Sequence, residues 1–336
     1  MILHVQVRAM KYQQMNYTAD KVEAVLRNRK APVSVVGGRS LPRYLELFMK
    51  PEGTTRISQV RNLAADIALA VGAGSVRIGQ EGDYLTVQIA APQTKSGKPD
   101  VHLSRLMARM KEIPPHTSLL GLSADGAPLL LHLPSPDVGH VLIAGTTGCG
   151  KTQLALSMLI SLAKCNRPRD LGFLVIDPKR REDDLYKKHL GPHLLAAPAH
   201  TPSSASEILQ QLCDVMDQRA LSQDPLPRCV LFVDELADLI LTGGEPILTM
   251  LTRITQRGRE HGIHMIGCTQ KPGSAVLGSL LRANMPIRLV GRVTSAEDAR
   301  TATGRAATGA DKLAGSGDFL AVTATELIRF QAALPM

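Results

Sequence analysis

The sequence predicts an α/β fold, with a parallel-sheet core flanked by helices and a smaller α+β region at the N-terminus. After Pro114 and Pro115, continuous apolar runs alternate with stretches of helical period, which is the pattern of a parallel sheet covered on both faces. Before these prolines, shorter helix and strand patterns alternate less regularly. We therefore assign residues 1–114 to a small N-terminal domain and residues 115–336 to a large α/β domain.

The elements of the small domain are predicted from their periodicity. An amphipathic helix is expected over residues 58–71, because Val60, Leu63, Ile67 and Val71 fall on one face. The other predicted elements are a strand over residues 1–11, a helix over 20–29, strands over 45–49, 75–79 and 85–90, and a polar loop over 92–99.

Six apolar runs predict the strands of the large domain. They cover residues 140–144, 173–177, 230–234, 263–268, 287–290 and 319–322. Helices are predicted between them, over residues 153–163, 207–220, 246–257 and 275–283. The alternation predicts a single parallel sheet.

A glycine-rich loop follows the first of these strands. It fits the pattern G-x-x-x-x-G-K-[ST] at every position. Glycines let such a loop curl so that its backbone N–H groups point at phosphates, and the helix that follows adds the positive end of its dipole. Lys151 is expected to reach the β- and γ-phosphates, and the Thr152 hydroxyl to ligate Mg²⁺. The predicted nucleotide-binding residues are Gly145, Thr146, Thr147, Gly148, Cys149, Gly150, Lys151 and Thr152.

Two carboxylates, Asp234 and Glu235, follow the buried run over residues 229–233. Open α/β sheets bind ligands at the carboxyl ends of their strands. Asp234 suits coordination of Mg²⁺, and Glu235 suits deprotonation of the water that attacks the γ-phosphate. The alternative for Glu235 is a charge that stabilises a helix N-terminus. Together with the phosphate loop, the pair predicts hydrolysis, with ATP and Mg²⁺ bound.

Gln270 ends the next predicted strand. Its amide is positioned to contact the γ-phosphate and to report hydrolysis to the rest of the domain, so we count it with Lys151 and Glu235 among the catalytic residues. The alternative is a turn residue that precedes Pro272.

The net charge of +9 and the pI near 9.5 indicate a polyanionic partner; a merely basic surface is the alternative. With no Trp and 3% aromatic residues, the chain favours contact with a nucleic-acid backbone over stacking on unpaired bases. The sequence has no apolar stretch long enough to span a bilayer and no signal-peptide core. We therefore expect a cytoplasmic protein or the soluble part of something larger. The five scattered cysteines indicate reduced thiols.

The ordered motifs resemble the FtsK/SpoIIIE family of DNA translocases, within the FtsK–HerA branch of RecA-like P-loop ATPases. The resemblance runs from about residue 21 to residue 322. It rests on residues 140–152 (HVLIAGTTGCGKT), 176–179 (IDPK), 234–239 (DELADL), 262–264 (GIH), 269–272 (TQKP), 283–288 (ANMPIR), 295–300 (SAEDAR) and 315–318 (GSGD). Residues 57–65 and 75–78 are similar to the small β domain that precedes the motor in this family.

The resemblance implies an ATPase that translocates along double-stranded DNA. It also implies a homo-oligomer, a hexameric ring around the duplex, in which each active site is completed by the neighbouring subunit. A trans arginine is then expected, with Arg288 the first choice and Arg300 the alternative. The alternative for each arginine is a surface residue held in a salt bridge. Arg300 and Lys312 are candidates for pore residues that contact DNA phosphates.

Two departures from the family pattern are Cys149, where a small hydroxyl residue is common, and Lys271, where arginine is usual. Oxidation of Cys149 is a minor hypothesis for inhibition. Without predicted membrane helices or a winged-helix domain, we expect a minimal cytosolic motor from a mobile element, phage or plasmid, or a motor excised from a longer protein, instead of a septum-anchored pump. The alternative functions are protein secretion, conjugative DNA transfer and helicase activity. A purely structural ring is disfavoured because the residues of both nucleotide motifs are present.

Overall fold

The computed structural model describes residues 2–40, 44–73, 76–90, 101–110, 112–123, 126–180 and 182–335. The chain divides into two compact units, Met1–Pro99 and Asp100–Met336. The predicted loop at residues 92–99 and the first residue of the predicted strand at 75–79 lie outside the described residues. Within the described ranges, no helix is both long and apolar enough to cross a membrane.

The first unit combines helices with an antiparallel sheet. Its helices are α1 (Ile2–Asn28), α2 (Ile57–Asn62) and α3 (Ala64–Val71), and its strands are β1 (Val33–Ser40), β2 (Tyr44–Pro51), β3 (Val76–Glu81) and β4 (Tyr84–Ala90). The strands lie in the order β1-β2-β4-β3, with every neighbouring pair antiparallel. Leu26 of α1, Ile67 of α3, and Leu47 and Val87 of the sheet are buried in one core.

Two predictions for this unit are corrected. Residues 2–11 belong to α1 and are not a strand. A short run of alternating residues is weak evidence for a strand. Once a helix has nucleated, each added residue gains one backbone hydrogen bond, so the helix can extend through such a run. The helix predicted over residues 58–71 is interrupted at Leu63, whose φ of −94° and ψ of 10° leave helical geometry and separate α2 from α3.

The second unit is built on one large mixed sheet. Its strands are β5 (Thr117–Ser123), β6 (Pro128–His132), β7 (Val141–Ala144), β8 (Leu171–Ile176), β9 (Arg228–Asp234), β10 (Ile263–Thr269), β11 (Ile287–Val290), β12 (Asp318–Val322) and β13 (Leu327–Ala332). Its helices are α4 (Leu103–Arg109), α5 (Lys151–Cys165), α6 (Asp183–Leu190), α7 (Pro202–Ser222), α8 (Leu236–Arg257), α9 (Ser274–Leu277), α10 (Ser279–Ala283) and α11 (Ala296–Thr303).

The strands of the second unit lie in the order β6-β5-β13-β12-β11-β7-β10-β9-β8. The five strands from β11 to β8 are parallel, and the other four extend the sheet in antiparallel fashion. All six predicted strands are present, which confirms the α/β class. The sheet is not wholly parallel, because β12 returns antiparallel beside β11 and continues directly into β13.

Alternate side chains of the central strands enter different cores. Ile266 of β10 belongs to the same core as Leu154 and Met158 of α5, whereas Met265 belongs to the core that contains Leu212 of α7 and Leu251 of α8. This alternation places α5 on one face of the sheet and α7 and α8 on the other. The loop between β7 and α5 follows the last residue of a parallel strand, so it lies at the carboxyl edge of the parallel strands.

Two helices differ from their predicted extent. Helix α8 begins at Leu236, well before residue 246, and Gly244 interrupts it with φ 68° and ψ −160°. Pro246 follows this interruption. A proline inside a regular helix would remove a backbone hydrogen bond and clash with the preceding turn. The helix predicted over residues 275–283 is divided into α9 and α10 at Gly278 (φ 72°).

The division between the units falls before the proline pair, Pro114 and Pro115, at which the sequence suggests a boundary. Leu103 and Leu106 of α4 are buried in the core that contains α5. The backbone N–H of Leu103 donates to the carbonyl of Leu334 at 2.8 Å. Residues 101–110 therefore pack within the second unit.

Candidate nucleotide and magnesium site

The phosphate loop connects β7 to α5 through three glycines with positive φ. Gly145, Gly148 and Gly150 have φ of 149°, 78° and 108°. A Cβ at Gly145 would lie 2.8 Å from the Cys149 sulfur, and one at Gly150 would lie 3.1 Å from the backbone nitrogen of Gly317. Conformation and space thus both require glycine at these two positions.

Lys151 begins α5, and its ammonium lies over the loop. Its Nζ donates to the carbonyl oxygens of Gly145 at 2.9 Å and Thr146 at 3.1 Å. The residue is only 8% exposed. Phosphate oxygens form stronger, charge-assisted hydrogen bonds with an ammonium than neutral carbonyls do. The arrangement therefore suits a ligand that brings negative charge to the loop.

Thr152 and Asp234 come together from α5 and β9. The Thr152 hydroxyl donates to Oδ1 of Asp234 at 3.3 Å. Burial raises the pKa of Asp234, and the neighbouring Asp177 carboxylate raises it further. Mg²⁺ prefers hard oxygen ligands such as these, and its positive charge would offset the repulsion between the buried carboxylates. These residues therefore fit the predicted magnesium site.

Glu235 is the first residue after β9 and has an unusual backbone conformation. Its φ of 88° and ψ of 70° lie in the left-handed region, where a non-glycine residue is strained by about 1–3 kcal/mol. Its Oε1 accepts from the backbone N–H of Gln270 at 3.0 Å, and its Oε2 from the Lys179 ammonium at 3.2 Å. Strain at such a position is typical of functional sites.

The hydrogen bonds keep Glu235 ionised despite its burial. Burial alone would raise the pKa of this carboxyl, but the Gln270 backbone N–H and the Lys179 ammonium outweigh it, so the pKa is lowered. An ionised carboxylate can accept a proton from water, which is the chemistry predicted for this position.

Gln270 bridges the phosphate loop and the Glu235 carboxylate. Its Nε2 donates to Oε2 of Glu235 at 2.9 Å, and its Oε1 accepts from the Thr147 hydroxyl at 2.8 Å. The residue lies at the end of β10, and β10 lies between β7 and β9. Its contact with a γ-phosphate stays a prediction.

Two segments not predicted for the site line the phosphate loop. The backbone N–H of Gly317 donates to the Cys149 carbonyl at 2.8 Å. The Arg292 carbonyl accepts from the backbone N–H of Thr146 at 2.9 Å and from its hydroxyl at 3.0 Å. The Gly-Ser-Gly run at residues 315–317 was the available signal for the first contact. The Cys149 thiol is buried, and burial raises its pKa, which disfavours the oxidation hypothesis.

Lys179 was also absent from the predicted site. The sequence identified it only as the last residue of the IDPK segment after β8, and the structure places it against Glu235. The signal was a lysine that follows the carboxyl end of a buried strand.

The candidate residues for a neighbouring subunit or for DNA lie on other elements. Arg288 is half-buried in β11, where its guanidinium occupies the space beside Gly304. Burial lowers its pKa, and the nearby charge of Arg282 adds to this effect. Arg300 is exposed on α11, and Lys312 is exposed in the turn before β12. Their roles stay predictions.

Two family models match the chain. Residues 105–224 and 218–274 match the FtsK/SpoIIIE family, and residues 3–92 match the FtsK alpha domain. The N-terminal region is thus similar to the alpha domain, not to the β domain suggested by its sequence.

Two relatives similar along most of the chain are described as DNA translocase FtsK. The protein of Streptococcus pneumoniae is 31% identical over 331 residues, covering 89% of this chain and 42% of the relative. The protein of Leptospira interrogans is 30% identical over 341 residues, covering 93% of this chain and 35% of the relative. The chain therefore spans less than half the length of these relatives.

Solved structures with the same fold include a conjugation coupling protein and a secretion ATPase. The pCW3 conjugation coupling protein TcpA, in a monomer form with ATPγS, has a TM-score of 0.63 at 16% identity and covers 95% of both chains. The cytoplasmic domain of the type VII secretion ATPase EccC from Thermomonospora curvata has a TM-score of 0.60 at 21% identity. The alignment covers 70% of this chain and 32% of the EccC chain. At these identities the likeness shows the fold alone.

Proposed function

This chain belongs to the FtsK/SpoIIIE family, and on that premise we propose that it hydrolyses ATP to move along double-stranded DNA. The observation that carries the proposal is the similarity to proteins described as DNA translocases over about nine-tenths of this chain. The net charge of +9 supports a polyanionic substrate. All five cysteines are free, which supports a reducing, cytoplasmic setting.

In the proposed reaction, the phosphate loop binds the triphosphate through its backbone N–H groups and Lys151. The Glu235 carboxylate, kept ionised by its partners, orients the attacking water and takes its proton. Thr152 and Asp234 are the residues that would hold Mg²⁺, which neutralises charge on the β- and γ-phosphates when bound. Gln270 is suited to couple the two halves of the site, because it contacts both Thr147 and Glu235.

We further propose a homo-oligomeric ring, a hexamer, around the duplex. Arg288 is the first candidate for an arginine that acts on the neighbouring subunit's nucleotide, with Arg300 the alternative. The half-buried Arg288 lies beside the like charge of Arg282, and burial lowers its pKa. An anionic group from outside the subunit would stabilise this guanidinium. Exposed Arg300 and Lys312 are candidates for contact with DNA phosphates.

The decisive experiment measures ATP hydrolysis with and without double-stranded DNA. Wild-type protein should be strongly stimulated by duplex, and Lys151→Ala should lose turnover. Lys164→Ala, at the exposed opposite end of α5, is the matched control and should retain activity. Glu235→Gln should bind ATP and DNA without turnover. Equal rates with and without DNA would exclude DNA-coupled motion.

Translocation is separated from the alternative activities by two further measurements. A translocase displaces a third strand from a triplex without separating the duplex, whereas a helicase separates the duplex. Contacts with DNA phosphates make the affinity for DNA fall steeply as the salt concentration rises. A secretion ATPase should not show this steep fall.

A further inference from the structure

Lys179 brings a positive charge into a buried acidic cluster. Its Nζ lies 3.2 Å from Oε2 of Glu235, with the two side chains 29% and 9% exposed. Asp177 and Asp234, at the ends of the neighbouring strands β8 and β9, are also buried. Three carboxylates at one sheet edge repel one another, so the position of this ammonium affects where each can lie.

The two oxygens of Glu235 are held in different ways. Oε1 accepts from the Gln270 backbone N–H at 3.0 Å and from the Thr269 hydroxyl at 3.4 Å, both fixed at the end of β10. Oε2 accepts from the Lys179 ammonium at 3.2 Å and the Gln270 side-chain amide at 2.9 Å. Removing Lys179 therefore leaves Oε2 with one flexible neutral donor and no cation among these contacts.

The loop that carries Lys179 is itself anchored. The Lys179 backbone N–H donates to Oδ1 of Asp177 at 3.0 Å, and the Asp177 backbone N–H donates to the carbonyl of Ala199 at 2.9 Å. Pro178 restricts the backbone between them. This turn after β8 directs the lysine toward the end of β9, where Glu235 lies.

We propose that Lys179 is a positioning residue that holds the Glu235 carboxylate in its catalytic orientation. The inference rests on the proposed ATP hydrolysis, in which water attacks the γ-phosphorus and the bond to the β-phosphate oxygen breaks. The water's proton passes to Glu235, and Lys179 makes and breaks no covalent bond. Without the ammonium, repulsion from Asp234 displaces Oε2, because only the flexible Gln270 amide still holds that oxygen while Oε1 keeps its donors at the end of β10.

The test compares steady-state kinetics of Lys179 variants. Lys179→Met should lower kcat by about 10- to 100-fold, since small displacements of a catalytic group have effects of this size. The KM for ATP and the affinity for a fluorescent ATP analogue should change less than about twofold, because Lys151 and the loop are intact. Lys179→Arg keeps the charge and should recover most of the lost kcat. Lys187→Met, exposed on α6, is the control and should match wild type.

A second readout reports the contact independently of turnover. Thermal unfolding of Lys179→Met, Glu235→Gln and the double variant should be non-additive, with the double variant losing no more Tm than the worse single variant. Additive losses, an unchanged kcat, or a raised kcat would overturn the assignment. Wild-type protein without ATPase activity would contradict the proposed function, while the thermal cycle would still decide whether Lys179 holds Glu235.

Discussion

The buried ion pair between Asp318 and Arg329 should set much of the stability around the phosphate loop. Arg329 donates through Nε to Oδ1 at 2.9 Å and through a terminal nitrogen to Oδ2 at 2.7 Å. Oδ2 also accepts from the Ala314 backbone N–H at 2.9 Å. The turn held in this way places Gly317 against the carbonyl of Cys149. Asp318→Asn should therefore destabilise the second unit and weaken nucleotide binding.

The magnitude follows from burial. Removing one partner of a buried pair costs about 3–5 kcal/mol, because the remaining charge keeps its desolvation penalty. The Asp318 side chain is 1% exposed, but Arg329 is 19% exposed, so water reaches part of the guanidinium. Asparagine also retains one acceptor oxygen. We expect the low end, about 3 kcal/mol, which corresponds to a Tm lower by about 6–12 °C in a unit of this size.

Differential scanning calorimetry of Asp318→Asn measures this loss, and Asp217→Asn is the matched control. Arg253 binds both oxygens of Asp217 at 2.6 and 2.8 Å, yet these side chains are 38% and 48% exposed. An exposed pair contributes less than about 1 kcal/mol. If both variants lost the same small amount of Tm, burial would not be the source of the effect. Unchanged nucleotide affinity would refute the link from Asp318 to the phosphate loop.

Three further predictions concern other parts of the second unit. Gly262→Ala should lower Tm at least twice as much as Gly309→Ala, since both have positive φ (70° and 73°) but only the first would push a Cβ into the Pro225 carbonyl. Burial lowers the pKa of His140 to about 3 against 6.5 in the unfolded chain, so stability from this group is lost as pH falls from about 6.5 toward 3. His140→Asn, which offers an oxygen to the same backbone donor, should lose less stability over this pH range when unfolding is measured at several pH values. N-ethylmaleimide followed by mass spectrometry should label the half-buried Cys165 before the buried Cys149, and the reverse order would contradict the packing.

The parallel core was predictable because its strands are buried on both faces. Residues 171–176 and 263–269 are buried throughout, so they form nearly continuous apolar runs, in which His264 and Thr269 are the polar exceptions. The antiparallel strand β12 is also buried throughout, and it was predicted. Two of the antiparallel strands carry no such pattern: β6 is exposed or half-buried at four of its five residues, and β13 at three of six. Sheet pairing, and not local sequence, makes these residues strands.

The glycine-rich loop and the carboxylates at the end of β9 could be located from the sequence for a related reason. Their chemistry depends on residue type and on position after a strand, and both can be read along the chain. The N-terminal strand prediction failed because residues 1–11 have no comparable constraint. Their alternation is short, and α1 buries Val22 and Leu26 farther along the same helix.

The contacts inside the site could not be predicted, because they depend on which strands are neighbours. Along the chain, β8 and β9 separate β7 from β10, yet in the sheet β10 lies directly between β7 and β9. That insertion places Gln270 within reach of both Thr147, which follows β7, and Glu235, which follows β9. Pairing of β9 with β8 brings the Lys179 ammonium to the same carboxylate. Residue types therefore identify the chemistry, whereas strand order decides that Glu235 accepts from an amide bonded to the phosphate loop and from the ammonium of Lys179, whose backbone N–H is bonded to Asp177.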